Sequence, residues 1–125
     1  MDFLDLFSPQ GRANRAWYFW HILLDDFVVL GLIIAMIVVS AIMGNPFLVI
    51  PMLGVILGGV WAAIAITVKR LHDLGRPGWH FLLFMVPIYN LYLGLVLLLK
   101  RGTWGWNEYG PDPLASGGPA GYIED

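Results

Sequence analysis

One short polar stretch holds most of the residue types that could do chemistry. Residues 69–80 read K-R-L-H-D-L-G-R-P-G-W-H and carry three of the seven Lys and Arg and two of the three His. His72-Asp73 invites a general-base reading, since imidazole titrates near neutral pH. Neighbouring residues on a helix point about 100° apart, so Asp73 is badly placed to orient His72. No Ser or Thr nucleophile accompanies them. A metal would need His72, Asp73 and His80 or His21 to converge, and the spacing matches no zinc signature. No catalytic residue, metal or cofactor is therefore assigned. The simpler expectation is structural: Asp73 bonds Arg70 or Arg76, and His72 anchors the loop.

The cations suggest a second chemistry. Lys69, Arg70 and Arg76, with Arg12 and Arg15 upstream, could seat anionic phospholipid headgroups, at ~1 kcal/mol per nearby Lys or Arg. The competing use is to fix topology and cap a helix end, where cations suit the dipole. Asp25 and Asp26 are the third candidates. They are the only acids inside a long apolar run, and a carboxylate near mid-bilayer costs at least ~2.5–3.5 kcal/mol. Either they lie near the interface and are solvated, or one pairs with a cation of residues 69–76. His21, one turn before Asp25, could share its face.

The elements that must position these groups follow from composition. Of 125 residues, 58% are hydrophobic and 13% charged, where a soluble domain carries roughly a quarter charged. Mean hydropathy is +0.72. The fold class expected is all-α: a polytopic helical membrane protein with three hydrophobic membrane segments and an interfacial N-terminal segment. One membrane domain, residues 1–113, precedes a flexible polar tail, residues 114–125. A net charge of −2 gives no reason to expect nucleic acid. There are no cysteines, hence no disulfide or thiolate chemistry. Asp2 and Asp5 stand where a signal peptide would be basic.

Residues 1–7 alternate acidic and apolar residues and could lie on the membrane surface. Arg12 and Arg15 beside Trp17, Tyr18, Phe19 and Trp20 mark a membrane–water interface. A first spanning helix is expected at residues 18–43. Gly44-Asn45-Pro46 is a turn, and a second helix follows at residues 47–68. Gly54, Gly58 and Ala62 recur every four residues, with Gly31 and Ala35 on the first helix. Small residues at this spacing let backbones approach, within the chain first and across a homodimer second.

The third apolar segment, residues 79–99, is interrupted at Pro87 and Asn90. It is either one kinked crossing or a re-entrant pair of half-helices turning at residues 87–90. With the N-terminus in the cytoplasm, Arg12, Arg15, Lys69, Arg70 and Arg76 obey the positive-inside rule. A single crossing puts Lys100 and Arg101 outside, against the rule, whereas a re-entrant segment keeps them inside. Twenty-one residues match one span, so three crossings are the preferred reading. Trp104, Trp106 and Tyr109 could lie against the interface, and the tail from Ser116 is expected to be disordered.

Three motif stretches, separated by apolar spans, carry a family resemblance. They are Gly11-Arg12-Ala13-Asn14-Arg15 with Tyr18, Arg70-Leu71-His72-Asp73-Leu74-Gly75-Arg76 with Gly78-Trp79, and Gly102-Thr103-Trp104-Gly105-Trp106-Asn107-Glu108-Tyr109-Gly110-Pro111-Asp112-Pro113. In this order they resemble the domain-of-unknown-function 805 family of small bacterial inner-membrane proteins, over residues 7–113. The resemblance implies a compact multi-pass helical protein of the bacterial inner membrane and no catalytic residue. Trp17 stands where members often have an acid. If that acid balanced the arginines, Asp25 or Asp73 must replace it here.

The functional expectation is a non-enzymatic membrane module. It packs against itself as a homo-oligomer or against a larger membrane complex, with basic loops on anionic phospholipid. The alternative is an oligomeric small transporter or channel using Asp25 and Asp26, since three short crossings are too few to enclose a pathway.

Overall fold

The computed structural model describes residues 6–114. The tail beyond Leu114, and residues 1–5 of the expected surface segment, lie outside the described residues. Two long apolar helices dominate: α1, Arg15–Met43, and α2, Met52–Asp73. Both are long and apolar enough to cross a membrane, α2 being counted with the short helix Pro46–Val49 that leads into it. A shorter α3, Tyr89–Leu99, follows.

Local chemistry explains where α1 and α2 begin and stop. The Asn14 side chain accepts the Trp17 N–H and so caps the start of α1. Both helices then end in the same motif. After α1, Gly44 takes φ +65° and Asn45 N–H reaches back to Ser40 O. After α2, Gly75 takes φ +75° and Arg76 N–H reaches Leu71 O at 2.9 Å. In each case a glycine supplies the left-handed residue that satisfies the last carbonyls.

The third apolar segment does not form the preferred single crossing. Residues Gly78–Met85 wind as a 3₁₀ helix, and the chain then reverses. The reversal is a γ-turn: Tyr89 N–H bonds Pro87 O at 2.8 Å, and Ile88 takes φ +69°. α3 runs back to where the segment began. The eight 3₁₀ residues rise roughly 16 Å and the eleven of α3 roughly the same, so the two arms match in length. Each is about half the hydrocarbon thickness. Apolar length alone could not report direction, and the γ-turn sets it.

The core lies at one end of the α1/α2 pair, where this hairpin packs. Tyr18 of α1, Ile66 and Leu71 of α2, and Leu93 and Leu97 of α3 are buried together, flanked by Phe81 and Phe84 of the 3₁₀ arm. Beyond that end, α1 and α2 continue as a two-helix hairpin with apolar residues facing outward. Gly59 makes the close approach there: a Cβ at this position would strike the Val29 side chain.

Candidate functional site

The three motif stretches meet at Asp73, the last residue of α2. Its carboxylate is shared by two buried arginines. Arg70 Nη1 donates to Oδ2 at 2.5 Å, and Arg12 Nε donates to Oδ1 at 3.1 Å. Arg70 has no exposed surface and Asp73 is 1% exposed. Two guanidiniums on one carboxylate leave an excess positive charge, and backbone carbonyls absorb it. Arg70 also donates to Leu97 O at 2.7 Å, to Ala13 O at 3.3 Å and to Lys100 O. The carbonyls of Leu97 and Lys100 belong to the end of α3, where helical acceptors lack intrahelical partners. Arg70 thus ties α2, α3 and the segment before α1 together.

Arg12 is caged by the stretch that follows α3. It donates to Thr103 O and Gly105 O, both at 2.6 Å, and to Gly110 O at 3.2 Å. Thr103 N–H returns to Asp73 O at 2.7 Å. Gly102 packs directly on Asp73, and a Cβ there would collide with the carboxylate. Asn107 Nδ2 donates to His72 O, and Asn107 Oδ1 accepts Tyr109 N–H. Asp112 closes the loop, accepting from Arg101 at 3.1 Å, Gly105 N–H at 3.0 Å and Leu114 N–H at 2.9 Å. Burial opposes its ionisation, but these N–H donors and the Arg101 charge win and hold its carboxyl below the usual range.

The sequence-predicted residues divide clearly. Asp73 bonds Arg70 and Arg12, and Arg76 is bonded elsewhere. His72 anchors the loop: its Nδ1 bonds Gly11 O at 3.0 Å, and its ring stacks on Tyr109 at 3.9 Å. Lys69 is buried, with its ammonium over the Trp17 ring. Arg76 reaches the Tyr89 hydroxyl at 3.3 Å. Arg15 is exposed and donates to Leu99 O at 3.0 Å. Arg101 stacks over Trp104, which is 77% exposed.

Asp25 and Asp26 stand apart from this knot. Neither is joined to Arg70 or Arg76. Asp25 lines a groove of about 340 Å³ between α1 and α2, together with His21, Gly54 and Gly58. Asp26 lines a second groove of about 290 Å³, and Asp25 reaches both. His21 bonds Trp17 O and stacks on the Trp17 ring rather than pairing with Asp25. Of the small residues, Ala62 is buried, Ala35 is exposed, and Gly31, Gly54 and Gly58 have open space where a Cβ would lie. Phe7 is drawn onto α2, its carbonyl accepting the Trp61 indole N–H at 2.8 Å.

Sequence reasoning missed Gly102, Thr103 and Asn107. Their signal was the Gly-rich motif after the third segment, which supplies carbonyls that no side-chain pattern displays. Among the described residues, no group of three His, Asp or Glu could hold a metal ion. The Asp73 knot is arranged to join segments, since its oxygens are all directed at protein donors.

Comparison with known proteins agrees with the motif stretches. The chain is 34% identical to the Inner membrane protein YhaH of Escherichia coli over 106 residues, covering 83% of this chain and 85% of that protein. It is 36% identical to the Inner membrane protein YhaI of Escherichia coli over 104 residues, covering 83% and 84%. No solved structure matches the chain significantly. With two helices apolar enough to span, the chain is a protein of the inner membrane. The sequence profile described as "Protein of unknown function (DUF805)" matches residues 6–111, and the chain belongs to that family.

Proposed function

We propose that this protein is a non-enzymatic membrane module that packs against itself or a larger membrane complex through the groove between α1 and α2. The observation that carries the reading is that groove. It is walled by apolar side chains and lined at Gly54 and Gly58, where a methyl group in place of the glycine hydrogen would meet no neighbour within 4 Å. Open small-residue surface is what a second transmembrane helix needs for close approach. Catalysis at His72-Asp73 is disfavoured because both side chains are already committed to Gly11, Tyr109 and the two arginines.

In this reading α1 and α2 cross the bilayer, and the hairpin of residues 78–99 enters and leaves on the cytoplasmic side. All seven Lys and Arg then share that side, and the Gly44-Asn45-Pro46 turn is left uncharged outside. Arg12, Lys69 and Arg70 are used within the fold, and Arg76 and Arg101 are engaged by Tyr89 and Asp112, so contact with anionic headgroups falls to the exposed Arg15 and Lys100.

Native mass spectrometry of the protein taken gently from its own membranes tests the reading. A homo-oligomer or a stoichiometric complex that Gly58→Leu disrupts is expected. A monomer that associates with nothing, in native membranes as well as in detergent, would sink it. The second reading, an oligomeric transporter, has one observation in its favour: Asp25 reaches both grooves. Asp25→Asn and Asp26→Asn discriminate, because a proton pathway predicts intact assembly with lost flux, and a pairing role predicts lost assembly.

A further inference from the structure

We propose that the cleft between the start of α1 and the end of α3 is a seat for one anionic phospholipid. The cleft has a volume of about 480 Å³ and is lined by Arg15, Ala16, Phe19, Trp20, Leu98 and Leu99. It is amphipathic in the sense a lipid requires. A guanidinium stands at one end, and aromatic and aliphatic side chains form the walls. Trp20 is 63% exposed and Phe19 is 43% exposed, and tryptophan is a residue type enriched at membrane–water interfaces.

The charge distribution selects the headgroup. Arg15 is exposed, and its guanidinium makes one hydrogen bond among the described residues, through Nη1 to Leu99 O, which leaves other guanidinium N–H groups for a phosphate. Lys100, also exposed, follows Leu99 directly. Among the described residues no acid lines the cleft, and the nearby carboxylates are committed: Asp73 to Arg12 and Arg70, Asp112 to Arg101. Two cations without a local acid repel an ammonium headgroup and attract an anionic one. Arg12 and Arg70 cannot compete for the lipid because the fold encloses them. The phosphate sits on Arg15 with Lys100 beside it, and one acyl chain runs over Phe19, Trp20 and Leu98 into the bilayer.

The seat rests on the membrane-integral reading and deepens its lipid half; it does not depend on the α1/α2 groove. The test is native mass spectrometry of the full chain, solubilised with an equal mixture of phosphatidylglycerol and phosphatidylcholine. Wild type retains phosphatidylglycerol in preference. The double substitution Arg15→Gln, Lys100→Gln lowers that preference roughly tenfold or more, as expected for two headgroup-level cations. Ala16→Phe fills the cleft with every charge kept, and it also loses the lipid. Arg76→Gln removes one cation outside the cleft and retains it. Unchanged retention in the double variant or in Ala16→Phe overturns the seat, as does an equal loss in Arg76→Gln, which would signal diffuse charge attraction. The same spectra report oligomer mass, so a monomer that still holds lipid would overturn self-packing and leave the seat standing.

Discussion

Arg12 bonds the carboxylate oxygen of Asp73 that Arg70 leaves open, Nε to Oδ1 at 3.1 Å, across 61 residues of chain. That contact fixes the N-terminal segment to the end of α2. Breaking a buried pair by removing one partner costs about 3–5 kcal/mol, because the other charge stays buried. Asp73→Asn leaves two guanidiniums facing a neutral amide, and a loss of that size is expected by thermal melting in detergent. Arg70→Lys is expected to do nearly as much harm, since one ammonium cannot serve Ala13, Leu97, Lys100 and Asp73 together. Wild-type melting in both variants would mean the knot contributes little.

Two glycine-to-alanine substitutions should part company. At Gly102 a methyl group collides with the Asp73 carboxylate, so Gly102→Ala should destabilise the protein by at least ~1–3 kcal/mol, the usual range for overpacking. At Gly58 the space is open and the backbone helical, so Gly58→Ala should stabilise the protomer by roughly 0.5–1 kcal/mol. Equal effects in the two melts would refute the geometry around Asp73.

Ile88 carries backbone strain. A β-branched residue at φ +69° costs about 1–3 kcal/mol, and its side chain is 82% exposed with little packing to lose. Ile88→Gly removes the strain, against an entropy cost of roughly 0.5–1 kcal/mol. A modest rise in melting temperature is expected, with the hairpin retained in cross-links between Trp79→Cys and Lys100→Cys. A clear fall would show that this turn is unstrained.

Acid should loosen the loop after α3 through Asp112. Its carboxyl titrates below the ordinary Asp value in the folded chain. The contribution is therefore complete above the unfolded value near pH 4 and is lost as the pH falls through the lower folded value. Asp112→Asn should flatten that part of the stability profile below about pH 4. The readout is Trp104 fluorescence on a background with the other tryptophans replaced. An unaltered acid branch in the variant would assign it elsewhere.

Much of the arrangement was legible in the sequence, and the failures have physical causes. Periodicity and apolar length located α1 and α2, and the Gly44 turn marked the end of α1. The second helix was expected at residues 47–68 and instead runs from Met52 to Asp73, because its last turn carries the polar Lys69, Arg70, His72 and Asp73 that apolar length could not count. The polar motif offered Asp73 either Arg70 or Arg76 as a partner; α2 runs on to Asp73 and places Arg70 one turn before it, and the two are joined. The third segment was harder because two arguments conflicted. Its length matched a span, while Lys100 and Arg101 argued for a return. The charges spoke for the observed direction, since Arg70 needs the carbonyls of Leu97 and Lys100 beside it. An arginine at a helix end reads the same whether it faces lipid or backbone. The carbonyl cage of Thr103, Gly105 and Gly110 has no side-chain signature, so the enclosure of Arg12 could not be read from residue types.

The Asp73 knot also imposes an order on synthesis. Arg12 and Asp73 leave the ribosome well before Thr103, Gly105 and Gly110, the residues that complete the cage. Both long helices can enter the membrane while the two arginines and their shared acid still face water. Only the last fifth of the chain takes those charges out of solvent. A nascent chain that stops short of Gly102 leaves Arg12 without its carbonyl cage, an open charged wound that the stretch after α3 closes.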